Sequence, residues 1–512
     1  MAEGWPAVRT HAVDDTLDRL TAKVRGDDVR KRKSAVSELA DLGTPDAWEL
    51  VLERLSDAEP EVADRAQLEL ARIDGEEAID ALLGRDGLRA KNDLVRQRVI
   101  EALGRSLRTV AVDELLEAVG DREVEARRLG WWSVDRLVVS ARLAADDRVD
   151  LVRAAEKAAR RDANTAVRAA ALIAHARLVP AEGVGLVEAL TDRRPSVEVR
   201  AGACLALAAA VGSESALAER GLARLRGVAI GEDVPRAVRV AAMEAASTIA
   251  RALASVEALG VLVKLLEQEP ERRLKLFASA RLRALTGTEF GTSARNWQRL
   301  VDGLGDDWRP APEPDSGFGA RGSAGDGSKA SLAGLPLLSD RLAILIDMSG
   351  SMWTTRDDGN TLKTLVDREL RLFLEQLPDS VRFNLIPYAT QPDPWEDHVV
   401  DATPRNVTRA LEWFEGNRLS GRGAAWEAIE LALEDPEVDT VVLLSDGAPT
   451  GGIHWDLKLI VPLLEERNRF RRVAFDSILT DPRDFLMRQW NRLAASSGGI
   501  CTAVRFTAEG ER

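Results

Sequence analysis

A short motif recurs through the first three hundred residues and restricts what they can fold into. It consists of Val-Arg followed by Ala and Leu at helical spacing, and its copies begin at Val29, Val95, Val167, Val199 and Val238, with a looser copy at Val62. The first two steps, 29 to 62 and 62 to 95, are both 33 residues. Such a period is typical of helix pairs that stack into a solenoid, because one pair alone cannot bury its apolar face.

The surrounding sequence supports a helical array over residues 13–304, preceded by an N-terminal tail of residues 1–12. Apolar residues recur at i, i+3, i+4 and i+7, and Asp, Asn or Pro precedes most motif copies, where each favours a helix start. The motif resembles the second helix of HEAT repeats. Residues 282–304 break the pattern with a Gly-rich turn and are predicted to cap the array with a helix that carries Trp297.

The composition changes after residue 304. Residues 305–338 are rich in Gly, Pro, Ser and Asp and are predicted to form a flexible linker. In residues 339–508, short apolar runs alternate with amphipathic helices, which is typical of a mostly parallel sheet covered on both faces. We therefore predict a multidomain chain, an all-α solenoid followed by a doubly wound α/β domain. Strands are predicted at residues 341–346, 381–388, 440–445, 471–479 and 499–506.

Two loops at the ends of these strands carry oxygen-bearing side chains. Asp347, Ser349 and Ser351 follow the first strand, and Asp446 follows the strand 440–445. A doubly wound sheet gathers its ligand site at the carboxyl ends of its strands, and carboxylate and hydroxyl oxygens suit Mg²⁺. The pattern predicts a metal site with an open position for a partner's Asp or Glu carboxylate. The alternative is a turn followed by a helix cap, which would explain Asp-x-Ser-x-Ser by itself. It does not readily explain the presence of Asp446 in the second loop.

The Asp-x-Ser-x-Ser loop, together with Leu-Leu-Ser-Asp-Gly at residues 443–447, resembles a von Willebrand factor A (VWA) domain, and its flanks resemble those of bacterial members. The resemblance implies a metal-ion-dependent adhesion site (MIDAS) that binds Mg²⁺ or Mn²⁺. The family supplies a further hydroxyl from a Thr, but Gly423 stands at that position, so the motif is incomplete. Water or Ser420 is a candidate substitute ligand at reduced affinity. Alternatively, Arg422 places its own cation near the site and competes with a metal.

Several other side chains lie in or beside the same loops. Trp353, Trp455, Arg422 and Thr450 are candidates for a rim that contacts the partner, since Trp and Arg are enriched at interface hot spots. Simple packing is the alternative for the two tryptophans. Trp426 is expected in the core, because its position in the family packs inward.

The sequence lacks the standard catalytic and targeting signatures. It has no phosphate-binding loop, no Gly-x-Ser-x-Gly elbow and no His-Glu-x-x-His pair, and its four histidines are expected at the surface or in caps. No apolar run is long enough to span a bilayer, and no signal peptide is visible, so a cytoplasmic, non-enzymatic protein is expected. Its two cysteines form no CxxC pair, which suits a reducing compartment.

Three functions are compatible with this pattern. The favoured one is a protein-interaction scaffold, in which the VWA domain binds an acidic partner through Mg²⁺ and the HEAT array offers a second surface. RNA binding is an alternative, because helical repeats followed by an A domain resemble the Ro autoantigen and its bacterial relatives. The charge argues against nucleic acid, since residues 1–300, which hold the repeats, carry 47 Lys and Arg against 49 Asp and Glu and show no evident basic patch. A third reading is an adaptor for a separate ATPase, as in magnesium-chelatase assemblies.

Overall fold

The computed structural model describes residues 6–145, 148–193, 195–312, 331–355, 359, 361–480 and 482–504. By their internal contacts, the residues divide into two compact units, Met1–Leu217 and Ala218–Arg512. Most of the predicted linker, together with the two ends of the chain, lies outside the described residues. Among the described helices, none is long and apolar enough to cross a membrane.

The first unit is a succession of paired α-helices. They are α1 (Pro6–Val24), α2 (Val29–Leu42), α3 (Pro45–Glu53), α4 (Pro60–Glu69), α5 (Glu76–Leu83), α6 (Asp93–Leu103), α7 (Val112–Val119), α8 (Val124–Val139), α9 (Arg148–Arg161), α10 (Thr165–Leu178), α11 (Pro180–Thr191) and α12 (Val197–Ser213). The even-numbered helices form one row in which each contacts the next. The Val-Arg motif, including its looser copy, lies in the first turn of each helix of this row except α8.

Arginines near the starts of these helices join neighbouring repeats. Arg96 on α6 contacts Asp121, which precedes α8, with Nε–Oδ2 and Nη2–Oδ1 distances of 2.7 and 3.1 Å. Arg127 on α8 likewise contacts Asp162, which precedes α10. Pairing with acids of the next repeat is therefore the role of these two arginines.

The first helix begins earlier than the sequence predicted. Residues 1–12 were expected to be a tail, but α1 starts at Pro6. Proline is favoured in the first turn because its missing N–H leaves no intrahelical hydrogen bond unmade there. Residues 1–5 lie outside the described part.

The second unit starts with five further helices. They are α13 (Ala218–Ala229), α14 (Arg236–Leu253), α15 (Val256–Gln268), α16 (Arg272–Thr286) and α17 (Ala294–Asp302). Trp297 on α17 is fully buried, donates from Nε1 to the Gly291 carbonyl at 2.8 Å and packs edge-on against Phe290. The closing helix was thus placed correctly by the sequence. However, it belongs to the second unit, because the division between units falls at Leu217 and not after residue 304.

The rest of this unit is a six-stranded sheet with helices, plus a short hairpin. The strands are β1 (Ser331–Leu332), β2 (Leu335–Pro336), β3 (Arg341–Asp347), β4 (Arg382–Tyr388), β5 (Val400–Asp401), β6 (Thr440–Ser445), β7 (Ala474–Thr480) and β8 (Cys501–Val504), and the helices are α18 (Leu362–Leu374), α19 (Pro404–Gly416), α20 (Ala425–Glu434), α21 (Leu457–Arg467) and α22 (Asp484–Ser497). The sheet order is β5-β4-β3-β6-β7-β8, parallel except for the short edge strand β5. This is the doubly wound order expected from the sequence.

The β1–β2 hairpin lies within residues assigned to the flexible linker. Leu332 and Leu335 are buried in the same hydrophobic cluster as Ile344 of β3. The described residues 331–338 are therefore part of the folded domain, because two leucines in a Gly- and Ser-rich stretch are enough to anchor it to the core.

Helices α14 and α16 are joined to the sheet domain by ionic contacts, of which the one on α16 is buried. Arg273 on α16 makes a bidentate pair with Asp476 on β7, with distances of 3.0 and 2.6 Å, and donates from Nε to Ser339 Oγ at 2.7 Å. Glu244 on α14 pairs with Arg472, which precedes β7. Both contacts lie at the end of the sheet opposite the carboxyl ends of the strands.

Candidate functional site

Asp347 lies at the end of β3, in the centre of the sheet. It pairs in register with Tyr388 at the end of β4, and pairing of Ile346 with Leu444 sets it level with Ser445 at the end of β6. Paired residues of adjacent parallel strands point to the same face of a sheet. Tyr388, Asp347 and Ser445 therefore form a row, and all three are buried.

The loop after β3 turns its hydroxyl groups toward the carboxylate. Asp347 Oδ1 accepts a hydrogen bond from the Ser349 backbone N–H at 2.8 Å, and the Ser349 and Ser351 hydroxyls lie 3.2 Å apart. Asp347 Oδ2 accepts from the Ser445 hydroxyl at 2.8 Å. The structure thus brings together the predicted Asp347, Ser349 and Ser351.

The second predicted loop follows β6. Asp446 is half-buried and its Oδ1 accepts from the Ala448 N–H at 3.1 Å. Gly447 has φ +87°, a backbone conformation that would be strained for a residue with a Cβ. Its N–H donates to Ser445 Oγ at 2.9 Å. Ser445 therefore connects the Asp446 loop to Asp347.

Gly423 lies beside the carboxylate, where the family places a threonine. A Cβ at this position would lie 3.4 Å from Asp347 Oδ1 and 3.5 Å from Ser349 Cβ, both ordinary contacts. The glycine is held by a hydrogen bond of 2.6 Å from its N–H to Thr450 Oγ1. The expected hydroxyl is therefore absent, but the space for it faces the site.

Two predicted rim residues hold the loops to each other. Arg422 is exposed, and its Nε donates to the Thr450 carbonyl at 2.6 Å. Thr450 is exposed as well and accepts from Gly423 through its hydroxyl. The pair connects the Gly423 loop to the loop after β6.

The tryptophans differ in their surroundings. Trp353 is half-buried against the core, and its Nε1 lies 2.9 Å from the Leu419 carbonyl and 3.3 Å from that of Met348, so packing explains it better than the predicted rim role. Trp455 is half-buried, and Trp426 is buried as expected, edge-on to His454. His454 and His175 are buried, so neither lies at the surface, which was one of the two positions expected for the histidines.

The predicted substitute ligand Ser420 is exposed on the loop before Gly423. Within the described residues, no hydrogen bond joins its side chain to Asp347, Ser349, Ser351 or Asp446. The neighbouring Gly421 carbonyl accepts from the Gly350 N–H at 3.2 Å, which connects this loop to the loop after β3.

The electrostatics of the site centre on Asp347. Burial raises the pKa of its carboxyl, the hydrogen bonds from Ser349 and Ser445 oppose that rise, and the nearby charge of Asp446 adds to it. A cation would favour the ionised form of both carboxylates.

The donor set suits a hard divalent cation in part. Carboxylate and hydroxyl oxygens are what Mg²⁺ prefers. However, the described residues contain no cluster of three or more His, Cys, Asp or Glu that could hold a metal ion. A cation here would depend on the two serine hydroxyls and on water in addition to the carboxylates.

Sequence reasoning missed Tyr388, Ser445 and Glu427. The first two carry oxygen at the ends of β4 and β6, the strands adjacent to β3, and only the sheet order shows that they are neighbours of Asp347. Glu427 on α20 accepts from the Ile453 N–H at 2.6 Å and so fixes the loop after β6, which no motif indicated.

Comparison with known proteins agrees with this geometry. The family model "von Willebrand factor type A domain" matches residues 340–500. Human von Willebrand factor A domain-containing protein 3B is 25% identical over 164 residues, 32% of this chain and 12% of that protein. Mouse inter alpha-trypsin inhibitor heavy chain 4 is 28% identical over 130 residues, 23% of this chain and 13% of that protein. The chain therefore spans only a small part of these relatives.

Among solved structures, the RO (RSR) protein of Deinococcus radiodurans matches 97% of this chain and 86% of its own, at 17% identity and a TM-score of 0.24. Because this TM-score is low, we rely on the family model, which matches residues 340–500. A helical N-terminal region precedes these residues, which are a von Willebrand factor type A domain.

Proposed function

We propose that this chain is a non-enzymatic interaction scaffold, whose VWA domain binds an acidic group of a partner protein through Mg²⁺ or Mn²⁺. Asp347, Ser349, Ser351 and Asp446 would hold the cation, directly or through water. The helical array would provide a second surface for the same or another partner.

The observation that supports this function best is the buried, uncompensated carboxylate of Asp347. It accepts hydrogen bonds from an amide and a hydroxyl, not from Lys or Arg, and a second carboxylate lies close by. Buried charges in proteins are ordinarily paired or bound to metal ions. The arrangement therefore favours a bound cation.

The proposed ligands would have different roles in binding the cation. The two carboxylates supply negative charge, and the hydroxyls of Ser349 and Ser351 supply neutral oxygens. A bound Mg²⁺ with so few charged ligands retains an open position for a carboxylate from a partner. Arg422 and Thr450, at the mouth of the site, hold the two loops together and lie where such a partner would approach.

Calorimetric titration of Mn²⁺ and Mg²⁺ into the full chain tests the proposal. Saturable binding is expected, with loss in Asp347→Ala. Asp340→Ala is the matched control, because Asp340 is an exposed aspartate immediately before the opposite end of β3. No binding by the wild type up to about 10 mM, beyond ordinary protein sites for divalent ions, would exclude the metal site.

The partner is tested separately, with an immobilised array of Asp- and Glu-containing peptides. Binding in Mg²⁺ that is abolished by a chelator and by Asp347→Ala is the expected result. Binding that a chelator leaves unchanged would contradict recognition through a cation.

A further inference from the structure

The hydroxyl of Tyr388 is a buried polar group that the site described so far does not use. Tyr388 ends β4 and is fully buried. Its hydroxyl makes no hydrogen bond with any residue in the described part of the chain. A buried hydroxyl without a partner is unfavourable, and phenylalanine would fill the same space without that cost. The hydroxyl therefore calls for an explanation outside the packing of the domain.

The strand register places this side chain against Asp347. The two residues are paired across β3 and β4, and the Met348 N–H donates to the Tyr388 carbonyl at 2.8 Å, which continues the pairing past the end of β3. Paired residues of adjacent parallel strands point to the same face of a sheet, so the side chain of Tyr388 lies beside that of Asp347.

The opposite flank of Asp347 is already occupied by a donor. The Ser445 hydroxyl donates its one hydrogen bond to Asp347 Oδ2 and accepts another from the Gly447 N–H. A carboxylate oxygen accepts more than one hydrogen bond. On the β4 side, Tyr388 is the residue level with the carboxylate.

We propose that Tyr388 is a positioning residue of the cation site, whose hydroxyl donates to the Asp347 carboxylate and holds it toward the loops when a cation is bound. This inference rests on the proposed function. Tyr388 lies at the end of β4, next to the loop that carries Gly423. Ala424 of that loop donates its N–H to the Ala389 carbonyl at 2.9 Å, so loop and strand end are joined.

Tyr388→Phe is the decisive variant, since it removes only the hydroxyl. We expect its affinity for Mn²⁺ to fall roughly tenfold or more, the usual effect of removing a hydrogen bond to a metal ligand. The melting temperature without metal should not fall, because the hydroxyl makes no hydrogen bond in the described structure. Affinity within about twofold of the wild type would overturn the proposal.

Thr440→Val is the matched control for loss of a buried hydroxyl. Thr440 begins β6 at the opposite end of the sheet, where its hydroxyl donates to Ser339 Oγ at 2.6 Å. This variant should lower the melting temperature and leave Mn²⁺ affinity unchanged. An equal loss of affinity in both variants would mean a general effect on the domain, and would overturn the specific role of Tyr388.

Tyr388 is the only tyrosine in the chain, which gives a direct readout. Protein made with 3-fluorotyrosine has a single fluorine resonance at this ring. Mg²⁺ should shift it in the wild type and leave it unshifted in Asp347→Ala. No shift at saturating Mg²⁺ would overturn the inference while the proposed function survives, whereas absence of calorimetric binding would remove both.

Discussion

Asp347 differs from two other buried acids, Asp64 and Asp476, in the groups that contact its carboxylate. In the helical array, Asp64 is buried against Arg98 at 2.7 Å, and in the sheet domain Asp476 is buried against Arg273. Asp347 is similarly buried, but it accepts hydrogen bonds from a hydroxyl and an amide group. Pairing with Arg or Lys stabilises a buried carboxylate, so its position at the strand end without such a pair favours a functional role.

Gly423→Thr should strengthen the metal site. The new side chain would point into the space beside Asp347 and Ser349 and add a neutral oxygen. We expect Mn²⁺ affinity to rise about tenfold, equivalent to ~1.4 kcal/mol, by calorimetry. In Gly423→Val, the side chain has the same shape as threonine but no hydroxyl, so its Mn²⁺ affinity should not rise. Equal affinities of the two variants would contradict the ligand role of the hydroxyl.

His175 on α10 should make the first unit sensitive to acid. Burial lowers its pKa below the usual 6.5, so the unfolded chain takes up the proton more readily than the folded one. Stability is therefore fully present above pH 6.5 and falls on acidification toward the folded-state pKa, by at most about 1.4 kcal/mol per pH unit.

The check is the pH dependence of urea unfolding in wild type and His175→Leu. Below pH 6.5, the free energy of unfolding of the wild type should fall relative to that of the leucine variant. Because Nδ1 has no hydrogen-bond partner in the described structure, leucine removes no hydrogen bond there. If the free energy of unfolding has the same pH dependence in both proteins, His175 does not contribute to the acid sensitivity.

At the residue scale, the sequence placed Asp347, Ser349 and Ser351 in one loop and Asp446 in a second, and parallel strands end at the same edge of a sheet. It did not predict Tyr388 or Ser445. Their contact with Asp347 depends on strand register, which is fixed by the pairing of whole strands and has no local motif.

At the scale of single elements, periodicity located most helices and the main strands. The predicted strand 440–445 matches β6, and the predicted strand 341–346 matches β3 except for its last residue. These strands are apolar throughout because both faces of a parallel sheet are covered. The two-residue strands β1, β2 and β5 are too short for any periodicity to show.

Arg273 on α16 is expected to be the most sensitive single position in the second unit. Arg273→Ala leaves Asp476 buried without its partner, and should lower the free energy of unfolding by about 3–5 kcal/mol. Denaturant unfolding of the full chain measures this through the transition of the second unit.

Arg283→Ala on the same helix is the control for that prediction. Arg283 pairs with Glu289, but both side chains are largely exposed, so the loss should stay below about 1 kcal/mol. Similar losses in the two variants would contradict the special role of the buried pair.

At the scale of the whole molecule, the sequence and the structure divide the chain differently. Composition suggested a boundary in the Gly- and Pro-rich residues 305–338, whereas α13 to α17 belong with the sheet domain. The contacts responsible join residues far apart in sequence, such as Glu244 with Arg472. Patterns of hydrophobicity and composition are local, so they cannot reveal such pairs.

Residues 218–512 should therefore fold as one unit, and residues 336–512 should fold poorly. The shorter fragment lacks Arg273 and the buried leucine of β1, and it exposes Asp476 without its partner. We expect the longer fragment to unfold in one cooperative transition, and the shorter one at a clearly lower urea concentration. Equal midpoints would show that the helices are dispensable.

The ionic contacts of α14 and α16 also bear on whether the Gly- and Pro-rich segment is needed to hold the second unit together. If Arg273 and Glu244 hold their partners across the unit, the peptide chain between residues 313 and 330 need not do so. A protease site inserted there should give a nicked protein whose two pieces co-elute and separate only in denaturant. New chain ends could then be placed in this segment, and it is a natural position for a circular permutant of the second unit.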